Sequence, residues 1–215
     1  MTLANFQAAL VDLDGTLVDT VGDFEVALGR TLADLGLPPV SRAFIERTVG
    51  QGSEHLIRRT LAEAGGPAQA YDEAWLRYQA HYREINGRYS AVFPGVEEGL
   101  ARLREGGLQL VCLTNKPVAF ARELLAAKGL DGAFAHCFGG DSFARRKPDP
   151  MPLVEACKAL GTAPGRTLMV GDSRNDVLAA RGAGCPVVLV SYGYNHGEPA
   201  EAAGADRVID SLVEI

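Results

Sequence analysis

The hydrophobic pattern changes character twice along the chain. A short apolar run, Ala8-Ala9-Leu10-Val11, predicts a buried strand. From about Asp19 to Ser90 apolar residues recur at helical spacing instead. Val21, Phe24, Leu28, Leu32 and Leu35 predict a first helix with Thr20 and Asp23 as a capping-box start, ended by Gly36 and the Pro38-Pro39 pair. Leu56, Ile57, Leu61 and Ala64 predict another after Gly50-Gln51-Gly52, and Tyr71, Ala74, Trp75, Tyr78, Tyr82 and Ile85 a longer one closed by Gly87. Aromatics at that spacing favour the inner face of a helical bundle over a binding stripe.

After Phe93-Pro94-Gly95 strands and helices alternate. Strands are expected at Leu108 to Leu113, Ala135 to Phe138, Leu168 to Val170, Val187 to Val190 and Arg207 to Ile209. Helices are expected at Pro117 to Ala127, Leu153 to Leu160 and Asn175 to Ala183. Continuous apolar runs separated by helices indicate parallel strands buried on both faces. The fold class is therefore α/β: a doubly wound, Rossmann-like parallel sheet with an α-helical insertion after its first strand. Residues 1–18 and 91–215 form the expected core, and 19–90 an inserted helical cap placed to act as a lid.

Composition narrows the function. A net charge of −6 argues against generic nucleic-acid binding, which needs a basic field, but leaves a small anionic ligand open. Cys112, Cys137, Cys157 and Cys185 form no Cys-x-x-Cys pair and read as reduced thiols. No signal-peptide pattern and no membrane-length apolar run is present, so a cytoplasmic protein without membrane association is expected. His55, His81, His136 and His196 lack metal-ligand spacing.

Four of the strands end in polar clusters: Asp12-Leu13-Asp14-Gly15-Thr16, Thr114-Asn115-Lys116, the loop Arg145-Arg146-Lys147-Pro148-Asp149-Pro150, and Gly171-Asp172-Ser173-Arg174-Asn175-Asp176. In a parallel sheet these ends share one edge. Acids from two strands with a hydroxyl and a lysine suit phosphoryl transfer with Mg²⁺, a hard cation that takes oxygen ligands. Bland readings stand beside this one. Asp176 with Ser173 can be a capping box, Lys147 a solvated loop charge, Thr114 a helix cap, and Lys116 and Arg174 either substrate-positioning groups or surface charges.

These clusters, in this order and with a helical insertion after the first, resemble the haloacid dehalogenase superfamily of phosphohydrolases over nearly the whole chain. The resemblance implies that Asp12 attacks phosphorus and forms an aspartyl-phosphate. Asp14 would be the acid and then the base, and its presence points to phosphate esters, because members that attack carbon lack it. Gly15 and Thr16 would form a phosphate-facing turn, and Thr114 and Lys147 would bind phosphate oxygens. Mg²⁺ would be held by Asp12, the backbone carbonyl of Asp14 and Asp172, with Asp176 close by or bonding through water.

Substrate choice would fall to the insertion, where Gly50 and Gln51, with Asn115 from the core and Arg58 as a further candidate, are the expected contacts. Val49-Gly50-Gln51-Gly52, Thr114-Asn115-Lys116-Pro117 and Tyr192-Gly193-Tyr194-Asn195 together resemble the bacterial phosphoglycolate phosphatases, although Gln51 stands where Asn is frequent. This implies hydrolysis of 2-phosphoglycolate, a small phosphorylated metabolite, by a monomer or homodimer. Action on a sugar phosphate or pyrophosphate, β-phosphoglucomutase-like transfer and a silent binding domain stay open as alternatives.

Overall fold

A computed structural model describes residues 2–215. Its main sheet is built from β1 (Ala8–Val11), β4 (Gln109–Leu113), β5 (His136–Phe138), β6 (Thr167–Gly171), β7 (Val187–Val190) and β8 (Arg207–Ile209). Their order in space is β5-β4-β1-β6-β7-β8, with all five pairings parallel. The chain runs outward from β1 to β4 and β5, then crosses back to β6 on the other side of β1. The crevice at that switch point is where open α/β sheets bind ligands.

The alternation of side chains along a strand sorts the two faces. Ala9, Val11, Leu110, Cys112, Leu168, Val170, Val188 and Val190 share one core with α5 (Val96–Glu105) and α6 (Val118–Ala127). Leu10, Val111, Leu113, Met169, Val187 and Leu189 share the other with α7 (Met151–Leu160) and α8 (Arg174–Ala183). Both faces of the sheet are therefore buried, as the continuous apolar runs require.

Register brings the polar clusters level. Val11 pairs with Cys112 on one side and Val170 on the other. Asp12 therefore lies level with Leu113 and Gly171, and Thr114 and Asp172 each follow by one residue. The Asp12 amide still donates to the Val170 carbonyl, at 2.9 Å, so the pairing of β1 ends only as the acids begin.

Between β1 and β4 lie α1 (Val21–Asp34), α2 (Arg42–Thr48), α3 (Ser53–Glu63) and α4 (Tyr71–Ile85). Their core joins Phe24, Leu28, Ile45, Leu56, Ile57, Tyr78 and Tyr82, and includes Phe120 from α6. Tyr82 is the aromatic hub: its ring centroid lies 5.5 Å from Phe24, 5.4 Å from Tyr78 and 5.0 Å from Phe120. Tyr71 and Trp75, from the same periodic set, are only half-buried.

The two chain crossings into and out of these helices pair with each other, which the sequence pattern did not indicate. β2 (Val18–Asp19) and β3 (Ala91–Val92) form an antiparallel ribbon. Gly22 at the start of α1 packs so closely on the Tyr89 carbonyl that a Cβ has no room. Lys128, the C-cap of α6, donates to the carbonyls of Gly87 and Ser90, at 2.8 and 2.6 Å.

The expected capping box at Thr20 and Asp23 does not form. The Thr20 amide donates to the Tyr194 hydroxyl at 2.7 Å instead. Asp23 is fully buried and accepts from the amides of Gly87 and Tyr89, at 2.9 and 2.7 Å. A tertiary use of the carboxylate has displaced the local one, because the amides leaving α4 have no other acceptor. Replacing Asp23 by Ala leaves both amides without this acceptor, and the expected loss of stability is about 2–4 kcal/mol. Urea denaturation checks this as a lower midpoint at unchanged slope.

Candidate active site

The strand ends converge on a buried charge cluster. Asp12, Lys147, Asp172 and Asp176 are each at most 7% exposed. One carboxylate oxygen from each of Asp12, Asp172 and Asp176 lies within 4.8 Å of the others. Lys147 sits among them: its Nζ donates to Asp176 Oδ1 at 2.7 Å and to the Leu113 carbonyl at 2.8 Å, and it is 3.0 Å from Asp12 Oδ1. Lys147 is thus not a solvated loop charge, whereas Arg145 and Arg146 beside it are exposed.

Three carboxylates against one ammonium leave an excess of two negative charges when all are ionised. The Lys147 contact to Asp12 Oδ1 is an ion pair outside hydrogen-bonding geometry, so this buried oxygen has no hydrogen-bond donor. An orphaned buried carboxylate oxygen in an all-oxygen, doubly negative cluster fits a hard divalent cation. Without one, burial pushes the Asp12 carboxyl up to about 7, with Asp176 and Asp14 adding to the rise and Lys147 opposing it. Burial and repulsion from Asp176 and Asp12 also raise Asp172 well above the carboxylate range. Burial works against the charge on Lys147, but Asp12 and Asp176 outweigh it and hold its pKa above the usual ammonium value.

Each acid is oriented by particular neighbours. Asp176 closes the capping box of α8, its Oδ2 accepting from the Ser173 amide at 3.1 Å and hydroxyl at 2.9 Å, while its Oδ1 takes Lys147. The capping role and the charged role are therefore both real. Asp172 Oδ2 accepts from the Tyr194 amide at 2.7 Å, and Thr16 Oγ1 approaches Asp172 Oδ1 at 3.5 Å.

Gly15 and Thr16 therefore serve Asp172 in this structure. Gly15 has φ +82°, and the volume its Cβ would take is filled by the Asp172 carboxylate and the Tyr194 ring. Thr16 is fully buried, and its carbonyl accepts from the Tyr192 hydroxyl at 2.8 Å. The glycine is required by backbone conformation and by close approach of an acid.

Asp14, the second acid of the first cluster, has a separate partner. Lys116 Nζ lies 2.8 Å from Asp14 Oδ1, with both side chains at most 10% exposed. The same ammonium is 4.5 Å from the centre of the Phe24 ring and 4.9 Å from that of Tyr82. Lys116 is thus no surface charge, while Arg174 is exposed.

Asp12, Asp14, Thr114, Asn115 and Lys116 line a cavity roofed by Phe24, Val49, Gly50, Gly52, Ser53, Leu56, Tyr78, Tyr82 and Phe120. Its free volume is about 30 Å³, room for no more than a few waters. Thr114 Oγ1 accepts from the Lys116 amide at 3.2 Å and caps no helix, since the N-cap position of α6 is Pro117 and no side chain caps it.

The expected substrate contacts divide. Gly50 lines the cavity, but Gln51 is half-buried and outside its lining. Asn115 lines it, yet its amide group is occupied, donating to the Gly50 carbonyl at 2.8 Å and the Lys147 carbonyl at 2.7 Å. Arg58 lies outside, stacked 3.7 Å over Tyr71 and paired with Glu54.

Sequence reasoning missed the contribution of the segment after β7. Tyr194 joins Asp172 to the crossing from β2 into α1: its hydroxyl donates to Asp19 Oδ1 at 2.8 Å and accepts from the Thr20 amide. His196, at φ 55°, places Nε2 3.1 Å from Asn175 Nδ2 and Nδ1 3.3 Å from the Arg47 carbonyl. The Tyr-Gly-Tyr-Asn string after a strand was the available signal, but it has no local pattern that reveals such long-range contacts.

The model of the haloacid dehalogenase-like hydrolases matches residues 6–184, and the chain belongs to that family. Within the family it is a phosphatase, similar to proteins named phosphoglycolate phosphatase. The plasmid-encoded one of Cupriavidus necator is 48% identical over 207 residues, covering 95% of this chain and 89% of that protein. A crystal structure of a predicted phosphoglycolate phosphatase from Haemophilus somnus 129pt superposes with a TM-score of 0.93 at 32% identity, covering 100% of this chain and 97% of that one. CbbY from Rhodobacter sphaeroides, solved with phosphate, gives 0.82 at 26% identity, covering 97% and 96%. Among the described residues no helix is long and apolar enough to cross a membrane.

Two outcomes are expected. In cation-free protein the native state keeps a proton on Asp12 up to about pH 7, whereas an unfolded aspartate loses it near pH 4. Across that window the unfolded state binds fewer protons, so this group lowers stability as pH rises. A bound divalent cation removes the penalty, so the gain in urea midpoint from cation over EDTA should widen from about pH 5 to about pH 7.5; a constant gain contradicts the charge crowding. Separately, Gly15→Ala should weaken divalent-cation binding by about 10–100-fold in calorimetry by displacing Asp172.

Proposed function

We propose that the chain is an Mg²⁺-dependent phosphomonoesterase that hydrolyses 2-phosphoglycolate to glycolate and phosphate through an aspartyl-phosphate on Asp12. The observation that carries this reading is the doubly negative carboxylate cluster, in which one buried Asp12 oxygen lacks a hydrogen-bond donor and from which Asp12 lines a small cavity together with Asp14. The names of the relatives support the substrate.

Asp12, Asp172 and the Asp14 carbonyl would hold Mg²⁺. Both Asp176 oxygens already accept hydrogen bonds, so Asp176 acts through Lys147 and through its charge. When bound, the cation neutralises the excess charge and polarises the phosphoryl oxygens.

The steps then fall to the chain's own residues. An Asp12 carboxylate oxygen bonds to phosphorus as the ester P–O bond breaks, and Asp14 gives its proton to the departing glycolate oxygen. Asp14 next takes a proton from water. The resulting hydroxide attacks phosphorus, the P–O bond to Asp12 breaks, and phosphate leaves with Asp12 regenerated. Thr114 and Lys147 meet the phosphoryl oxygens as charge builds on them.

Residues 19–90 serve as a lid. The cavity as it stands has room for only a few waters, and the β2/β3 ribbon is the crossing at which the helices can swing. The Asn115 and Asn175 side chains, which both donate to the Gly50 carbonyl, would part from it on opening.

Asp12→Asn should reduce Mg²⁺-dependent phosphate release by at least about 10³-fold while the protein stays folded. A malachite-green assay with Mg²⁺ or EDTA, on 2-phosphoglycolate, sugar phosphates, pyrophosphate and p-nitrophenyl phosphate, tests both halves of the reading. Retained turnover in the variant removes Asp12 as nucleophile. A sugar phosphate or pyrophosphate preferred to 2-phosphoglycolate removes the substrate assignment.

A further inference from the structure

Lys116 is the one cation lining the cavity among the described residues. It is not needed by the metal cluster, which has Lys147. An ammonium carries three donors, and here only one meets an acceptor, Asp14 Oδ1. The rest of its surroundings are the faces of Phe24 and Tyr82, which favour a cation without accepting a conventional hydrogen bond. Lys116 is only 5% exposed, so water does not readily make up the difference. A second polar group in the same wall is also unsatisfied: the Tyr82 hydroxyl is buried without a hydrogen-bond partner. The remaining roof, from Val49, Leu56, Tyr78 and Phe120, is largely apolar.

A phosphate meeting Asp12 and Thr114 in this cavity would have the rest of its ester facing this wall. We propose that Lys116 is the specificity-determining residue that binds a second anionic group on the substrate, a carboxylate one carbon from the ester oxygen. Binding that carboxylate loosens the Lys116 hold on Asp14. Asp14 then turns to the leaving oxygen and, having taken up a proton from solvent, donates it there. An ester without the second anion leaves the Lys116–Asp14 pair closed and is a poor substrate even if its phosphate binds. The inference rests on the phosphatase reading above and adds to it the group that selects the substrate and the exchange of partners at Asp14.

The test compares kcat/KM for 2-phosphoglycolate with that for ethyl phosphate, a two-carbon ester lacking the carboxylate, in wild type, Lys116→Met and Lys116→Gln. Removing one partner of a buried charged pair predicts a fall in the preference ratio of about 30-fold or more in both variants. The loss should fall on 2-phosphoglycolate, while the inhibition constant for inorganic phosphate, which does not reach Lys116, stays within about 3-fold of wild type. Two variants of different polarity guard against one failing to fold, and the wild-type ratio itself is a further reading. If wild type favours 2-phosphoglycolate and either folded variant keeps that ratio, Lys116 is only a counter-charge for Asp14 and the inference is overturned. If wild type shows no preference, the substrate assignment fails before Lys116 is in question.

Discussion

Everything at the sheet edge depends on keeping three carboxylates close together in a place water barely reaches. Asp12, Asp172 and Asp176 come from two neighbouring strand ends and the first turn of a helix, and only Lys147 stands between them. Such a group is costly to ionise unaided, which is why burial drives the Asp12 proton affinity up. Much of the surrounding architecture can be understood as the means of holding it. Glycines at 15, 171 and 193 leave out side chains where Asp172 or Asp176 must fit. The helix-capping geometry of Asp176 aims its second oxygen at Lys147. Asn115 anchors the lysine's own carbonyl.

The same cluster is tied mechanically to the insertion. Tyr194 holds Asp172 with its amide and the hinge residues Asp19 and Thr20 with its hydroxyl. Burial and the neighbouring Asp19 carboxylate raise the Tyr194 pKa, so this hydroxyl stays a donor. On the other side Phe120, carried by α6, packs into the aromatic core of the insertion against Tyr82. The insertion is therefore gripped at its hinge and at its aromatic centre, and the Gly50 carbonyl adds a polar contact between them.

The architecture is legible in the sequence to the extent that it depends on periodicity. Every strand expected in the main sheet forms, because strands buried on both faces are runs of apolar residues bounded by polar ones. The clusters at Asp12, Thr114, Lys147 and Asp172 are legible for a related reason: parallel register puts all strand ends on one edge. What escapes is long-range. Asp23 looks like a helix-capping residue, since Thr20-x-x-Asp23 has the local form, and only the folded chain shows that Gly87 and Tyr89 claim its carboxylate. Gly15 looks like room for phosphate, and the room is taken by Asp172. Two-residue strands such as β2 and β3 are too short to carry any period.

The two buried lysines show how burial alone fails to define a role. Lys147 meets a carboxylate and a carbonyl in hydrogen-bonding geometry and a second carboxylate as an ion pair, so its charge is committed to the cluster. Lys116 is buried to nearly the same degree but has a single acceptor and two ring faces. An ammonium held by three oxygens stays where the cluster puts it and lends its charge from there. A partly satisfied one gains a strong charge-assisted bond when an anion arrives, and its aromatic neighbours hold it in place until then. The difference in acceptors separates a lysine that maintains a site from one that can discriminate between substrates.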